Sequence, residues 1–448
     1  MKWLFIHQNF PGQFVHAVRR LIAAGDQVIG IGQPHSTSLP GLRRLEYAPA
    51  QAGSPHAFVR EFDLAVQNGL SVARLCEALK AEGFIPDLVV GHSGWGETFY
   101  VKDVWPTAPL LNYFEFFYRP TGSDIDFDPE FPPTPDMDKR LRTRNAINLV
   151  GLEAADWGQT PTHWQRDQYP ARYHERISVL HEGIDTDIVR PNPSARLWLS
   201  GGISLAATDE ILTYSARNLE PYRGFHSFMR ALPKVLQARP RARVVLVGGD
   251  GVSYGSRADK AGCWRHQLLN ELDDRLDLSR IHFVGHLPYP QYLTVLQLST
   301  VHVYLTYPFV LSWSLLEALS AGCCVVASRT PPVEEMIRDG ENGVLVDFLD
   351  ADAIADTIVR QLADRSAQRP LRQRARATVV EQFDLNRVCL PAYFRLLGDL
   401  AGKPTSAIAA SSSAGGIRAD RRASRSMAKV SGGVAGDGNG LWRAVPAR

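Results

Sequence analysis

Two arginines, Arg217 and Arg223, bracket the short segment Asn218-Leu219-Glu220-Pro221-Tyr222. A guanidinium offers paired N–H donors that match phosphate oxygens, and such charge-assisted bonds are among the strong ones. Two of them at a strand exit could clamp a diphosphate; two solvated surface arginines would read the same way. Further on, Ser312-Trp313-Ser314 opens a helical stretch that Gly322 ends, with Glu317 one turn inside it. The free amides at a helix start suit a diphosphate, and a carboxylate one turn in can accept both hydroxyl protons of a ribose. Ser314-x-x-Glu317 fits a capping box equally well, in which case Glu317 serves only its own helix. His92 follows an apolar run, where ligands reach an open sheet, although lone histidines are commonly structural. Glu115 and Arg119 follow the next strand end, where they could face a ligand cleft, although structural pairing is the favoured reading for both. Gly12, in Phe10-Pro11-Gly12-Gln13-Phe14, and Gly249, in Gly248-Gly249-Asp250-Gly251, mark turns where a backbone could approach a ligand. The second is no Walker loop, because no Gly-Lys-Ser/Thr follows it.

The elements that must hold these residues alternate. Lys2–His7 reads as a buried strand, 13–24 as a helix with Val15, Val18, Leu21 and Ile22 on one face, and Gln27–Gly32 as a second strand. Strands recur at 87–90, 108–113 and 177–180, and 120–139 reads as a long loop rich in Pro and Asp. After a loose segment at 191–207 the alternation resumes. Strands are expected at 211–215, 242–247, 281–284, 301–306 and 324–327, with an amphipathic helix over 225–238. Strand–helix alternation predicts parallel α/β sheets, and the break near 190 divides the chain into two such units.

Composition bounds the rest. With 448 residues, 45% hydrophobic and 21% charged, the chain can bury sizeable cores. Its net charge is +2, but the stretch from Gly402 onward carries eight Lys/Arg and two Asp/Glu, leaving 41 against 45 in the body. A mildly acidic body lacks the footprint of a nucleic-acid binder. The Ser-, Ala-, Gly- and Arg-rich tail is expected to be disordered, and its charge is compatible with peripheral contact to anionic lipid. The five cysteines follow no metal or disulfide spacing, which favours a reducing cytoplasm. The start lacks a signal-peptide pattern, and no run of apolar residues is long enough to span a membrane.

Val303-Tyr304-Leu305-Thr306-Tyr307-Pro308, continuing through Ser312 to Gly322 and Val325-Val326-Ala327-Ser328, resembles the signature of the retaining nucleotide-sugar glycosyltransferases of family 4, which have the GT-B fold. Members usually carry Glu, seven residues, then Glu. Glu317 matches the second, which holds the donor ribose in the family. The first falls at Phe309, so the family's carboxylate contact to the transferred sugar has no counterpart there. Arg217 matches the Arg of the diphosphate-clamping Gly-Arg-Leu…Lys-Gly motif, and Arg223 stands in for its Lys with one extra residue between. His92 is similar to a family His near the reacting centre, Gly12 to the Gly of the first loop, and Gly249 to a turn near the base. Glu182 replaces the usual Asn of an Asn-Gly-Val-Asp segment, and Glu334 to Val346 is similar to the family's Glu-x-Ile…Gly-x-Asn-Gly-x-Leu-Val run.

The resemblance covers about residues 1–400 and is most specific in the second half. It implies two Rossmann-like parallel-sheet domains facing a cleft: an acceptor-side domain over 1–190 and a donor domain over 191–380. A helix over 381–401 crosses back, and 402–448 is the disordered basic tail. The implied reaction moves a hexose from a UDP- or GDP-sugar to a glycan, lipid or other acceptor, with retention. Arg217, Arg223 and His92 are the implied catalytic groups. Glu317, Gly12, Ser312, Trp313, Ser314 and Gly249 are the implied donor contacts. No cofactor or metal is expected, since the one Asp-x-Asp match, Asp124-Ile125-Asp126, lies in the half away from the donor. The implied location is cytoplasmic, with peripheral contact at the inner face of the membrane as a variant. The rival readings are a non-catalytic nucleotide-sugar-binding subunit, and a GT-B phosphorylase or epimerase.

Overall fold

Alternation along the first strand sets the architecture of the first half. In β1 (Lys2–Ile6), Trp3 and Phe5 point to one core and Leu4 and Ile6 to another, so a helical layer must cover each face. The computed structural model describes residues 1–34, 39–258 and 262–405. The strands β2 (Gln27–Gly32), β3 (Arg43–Glu46), β4 (Leu88–His92), β5 (Leu110–Tyr113), β6 (Trp157–Thr160) and β7 (Ile177–Val179) join β1 in one sheet of order 3-2-1-4-5-6-7. All six pairings are parallel.

The segment 191–207, read from sequence as loose, instead forms an antiparallel hairpin, β8 (Arg196–Trp198) with β9 (Ser204–Ala206). Its strands are too short to give a periodic signal. The second sheet follows: β10 (Ile211–Asn218), β11 (Arg243–Gly249), β12 (Ile281–Gly285), β13 (Val301–Tyr304), β14 (Cys324–Ser328) and β15 (Val344–Val346), in parallel order 12-11-10-13-14-15. Here too alternate residues feed separate cores: Val244 and Leu246 one, Val245 and Val247 the other. All five cysteines are buried free thiols.

Chain order reverses between β1 and β4 in the first sheet and between β10 and β13 in the second. At such switch points the flanking loops diverge and leave a crevice at the carboxyl ends of the strands. His92 ends β4, and Arg217 is the penultimate residue of β10.

Three connections fix one half against the other. The helix Leu390–Leu400, entered through the helical turn Leu385–Cys389, returns to the first sheet and buries Leu390, Tyr393, Phe394 and Leu397 against Trp3, Phe5 and Phe14. The carboxylate of Glu335 accepts from the amides of His163 and Trp164, at 2.7 and 2.9 Å, capping a first-half helix from the second half. The third is the loop after β5. Tyr222 donates to Asp124 at 2.6 Å and Tyr307 to Asp128 at 2.6 Å, while Phe127 packs on Tyr307 and Phe348. The Asp124-Ile125-Asp126 stretch therefore reaches the second half, contrary to its assignment from sequence, and Asp124 is engaged there by a tyrosine. Residues 402–405 also depart from the expected tail: Lys403 pairs with Asp87 at 3.0 Å and Thr405 is buried. The rest of that tail lies outside the described residues.

Candidate active site

The second-half wall of the crevice is built around Arg223. Gly224, at φ +71°, ends the turn Pro221–Arg223 and starts the helix Phe225–Ala238; a side chain there would strike Leu305. The turn aims Arg223 inward, where it is 8% exposed. Its Nη1 donates to Thr306 Oγ1 at 2.8 Å and to the Val310 carbonyl at 3.0 Å, and the guanidinium lies 5.0 Å over the Tyr254 ring. Tyr254 is placed by a residue the sequence reading left without a role. Glu220, fully buried, accepts from the backbone amides of Ser253, Tyr254 and Gly255 at 3.1–3.2 Å. A carboxylate followed by proline at a strand exit was the only sequence signal for it.

Arg217 contrasts with Arg223. Its Nε and one Nη are buried and make no hydrogen bond in the protein. Buried N–H donors left idle are costly unless a ligand supplies oxygens. The two are not a solvated surface pair: Arg223 is buried, Arg217 is half-buried, and both act on the carboxyl of Glu115.

The helix Trp313–Ser320 starts beside them. Ser312, rather than Ser314, is its cap: Ser312 Oγ accepts from the Ser314 amide at 3.3 Å and from the Ser314 hydroxyl at 2.9 Å. Glu317 does not close a capping box. Its Oε1 accepts from Tyr289 at 2.8 Å, the Tyr292 hydroxyl lies beside the same carboxylate, and burial pushes its carboxyl up to about 7. Trp313 departs from the expected donor contact, because its indole N–H is spent on Glu182 Oε2 at 3.0 Å. Glu182 in turn accepts from Tyr113 at 2.5 Å, so this departure from the family's Asn ties the two halves together. Gly249 is required by packing: a side chain there would meet His286 at 2.3 Å and Asn218 at 2.9 Å.

The first-half wall is aromatic. His92 is 1% exposed and stacks on Trp95 at 4.2 Å and on Tyr113 at 5.3 Å. Its Nδ1 accepts from the Gly94 amide at 3.1 Å, which places the proton of the neutral ring on Nε2. Burial, then the neighbouring His7, hold its pKa well below the ordinary histidine value, so the ring is neutral at pH 7. Nε2 has no hydrogen-bond partner and lies 3.7 Å from Glu115 Oε2. Gly12, at φ +48°, does not open room for a ligand directly: a side chain there would strike the His7 ring, which itself packs edge-on against His92 at 5.1 Å. Arg119 is structural, donating to the Gln168 carbonyl at 2.9 Å. Phe309, at the position of the missing carboxylate, is 8% exposed among Phe116, Tyr254 and Tyr222, with centroids at 4.7, 5.0 and 5.5 Å.

Beside this crevice, Gln13, His16, Tyr113, His181, Glu182 and Tyr393 line a pocket between the first sheet and the returning helix.

Two family models match the chain: Glycosyl transferase family 4 group over residues 24–189, and Glycosyl transferases group 1 over 202–378. Among curated proteins, the chain is 28% identical over 193 residues to a D-inositol 3-phosphate glycosyltransferase of Acidothermus cellulolyticus, covering 42% of this chain and 41% of that one. It is 25% identical over 226 residues to a GDP-mannose-dependent alpha-(1-6)-phosphatidylinositol monomannoside mannosyltransferase of Mycolicibacterium smegmatis, covering 49% and 56%. The chain thus spans about half the length of the curated relatives it matches. Among solved structures, Anabaena HepE in complex with UDP superposes with a TM-score of 0.64 at 16% identity, over 89% of this chain and all of that one. Sucrose-phosphate synthase of Thermosynechococcus elongatus gives 0.64 at 21% identity, over 89% and 99%. At these identities the two structures speak for the fold alone.

Proposed function

Since the chain belongs to the family 4-type glycosyltransferases of GT-B fold, we propose that it transfers a hexose, with retention, from a UDP- or GDP-sugar to an acceptor in the crevice between its two sheets. The observation that carries this reading is Arg217, a half-buried arginine with two buried, idle N–H-bearing nitrogens, which with Arg223 acts on the carboxyl of Glu115.

As the sugar–oxygen bond breaks, negative charge grows on the distal phosphate. Preorganised donors aimed at that charge are usually the largest catalytic contribution. Arg217 supplies its free N–H groups, and Arg223 a cation whose direction is fixed by Thr306 and Val310. This cationic pair is sufficient for a diphosphate leaving group, so the proposal needs no divalent metal. Glu317 accepts the ribose hydroxyls once ionised. His92, neutral with its proton on Nε2, donates to the transferred sugar. On this reading no side chain is assigned as a nucleophile; the acceptor attacks from the leaving-group side, the diphosphate taking up its proton.

The acceptor enters from the pocket lined by Tyr113, Glu182 and Tyr393. The names of the curated relatives favour a lipid-linked or glycan acceptor with a phosphate or hydroxyl-rich head. Among the described residues no helix is long and apolar enough to cross a membrane, so contact with such an acceptor would be peripheral.

Phe309 favours a second reading, a subunit that binds nucleotide-sugar without turning it over. Thermal shift against UDP, GDP and ADP, followed by hydrolysis of UDP-glucose and GDP-mannose by the protein alone, tests both. Stabilisation by one nucleotide with slow sugar release supports the transferase. Stabilisation with no release supports the binding subunit, and no stabilisation by any nucleotide ends both.

A further inference from the structure

The crevice has lost one carboxylate to Phe309 and holds another on the opposite wall. The backbone over 114–116 is clamped: the Phe114 amide donates to the Gln159 carbonyl at 2.7 Å, Gln165 donates to the Glu115 carbonyl at 2.6 Å, and Asn148 to the Phe116 carbonyl at 3.0 Å. Phe114 is buried in the first half against Tyr169, and Phe116 crosses to the second half against Phe309. Glu115, between them, is left facing the crevice, with its side chain 37% exposed. It lies 3.7 Å from the unpartnered Nε2 of His92, and the cations nearest in influence are Arg217 and Arg223.

We propose that Glu115 is the carboxylate that grips the transferred hexose in this chain, replacing from the first-half wall the contact that Phe309 removed from the second. The inference rests on the donor reading above. A sugar ring held by diphosphate on one side needs an acceptor for its hydroxyl protons and a donor for their lone pairs. Glu115 and the Nε2–H of His92 supply that complementary pair side by side. The Phe116–Phe309 ring contact fixes the wall beneath, so the replaced residue and its replacement sit on neighbouring positions. Crevice burial pushes the Glu115 carboxyl up to about 7 in the empty site, with Arg217 pulling it back down and Glu182 adding to the rise. Sugar grip should therefore strengthen as pH rises through that value.

Calorimetry on the full chain with UDP, UDP-glucose, GDP and GDP-mannose reads the two levels separately. The wild type is expected to bind one nucleotide, and its sugar conjugate about tenfold or more tightly, the size of a bond to a charged group. Glu115→Gln should keep nucleotide affinity within about threefold and lose most of the conjugate's advantage, with Glu115→Asp regaining part of it. A sugar advantage that survives in both Glu115→Gln and Glu115→Ala overturns the proposal. So does a wild type that binds nucleotide but gains nothing from either sugar. Loss of nucleotide affinity in Glu115→Gln would assign the residue to the diphosphate or the fold instead. If the wild type binds neither nucleotide, the donor reading itself fails.

Discussion

Replacing Arg217 by alanine separates the chemistry of this crevice from its folding. Two of its nitrogens are buried and unbonded, so the change breaks no hydrogen bond that holds the protein together. In the complex, those nitrogens would make two charge-assisted bonds to the diphosphate. Such bonds are worth about 1.5–3 kcal/mol each, and loss of one preorganised donor elsewhere costs about 2.7–4 kcal/mol in turnover. The overlap, about 3–4 kcal/mol, corresponds to a loss of about two to three orders of magnitude in rate at roughly 1.4 kcal/mol per tenfold. Stability should hold, because no hydrogen bond within the protein is lost. The assay is turnover of the nucleotide-sugar selected by thermal shift, with melting temperature recorded on the same preparations. Nucleotide at about a hundred times its Kd stabilises a single-site protein by about 2.7 kcal/mol, and the variant should forfeit most of that gain. Turnover within a few-fold of wild type, with the melting temperature in nucleotide unchanged, would refute the diphosphate role and with it the carrying observation.

Arg223→Ala should lose turnover by a similar factor but also melt earlier, since Thr306 and the Val310 carbonyl lose their donor at about 1–3 kcal/mol for a buried unsatisfied group; equal melting temperatures in the two arginine variants would contradict this contrast. Asp128→Ala strips the partner from Tyr307 and His226 and should lower the melting temperature while exposing 120–131 to limited proteolysis, read by mass of the fragments. Burial pushes the carboxyls of Glu97 and Glu317 up to about 7. Each therefore binds its proton more tightly folded than unfolded, and its contribution is full below the ordinary value of 4.5 and lost as pH rises through about 7. Melting temperature should fall across that window, and Glu97→Gln, with Tyr47 still in reach, should flatten the fall without touching the crevice.

The sequence by itself determined the α/β alternation, the family and the placement of the arginines and His92 at strand ends. These are local properties: Gln27–Gly32 and Phe225–Ala238 carry their own periodicity, and the observed elements have those bounds. Trp157–Thr160 was missed because Trp-Gly-Gln-Thr has neither an apolar run nor clean alternation; it becomes a strand because Leu111 to Tyr113 and Ile177 to Val179 lie on either side of it. Likewise Ser314-x-x-Glu317 reads as a capping box until Tyr289 takes the carboxylate, and Trp313 reads as a donor contact until Glu182 takes its indole. Only the tertiary structure decided which polar groups were already spent and which were idle. The partners concerned lie far apart in the chain, as with Tyr222 and Asp124 or Tyr307 and Asp128, separated by 98 and 179 residues. A hydrogen bond depends on distance and direction in space, and no spacing rule along a chain encodes a pairing set by one half of the molecule folding against the other.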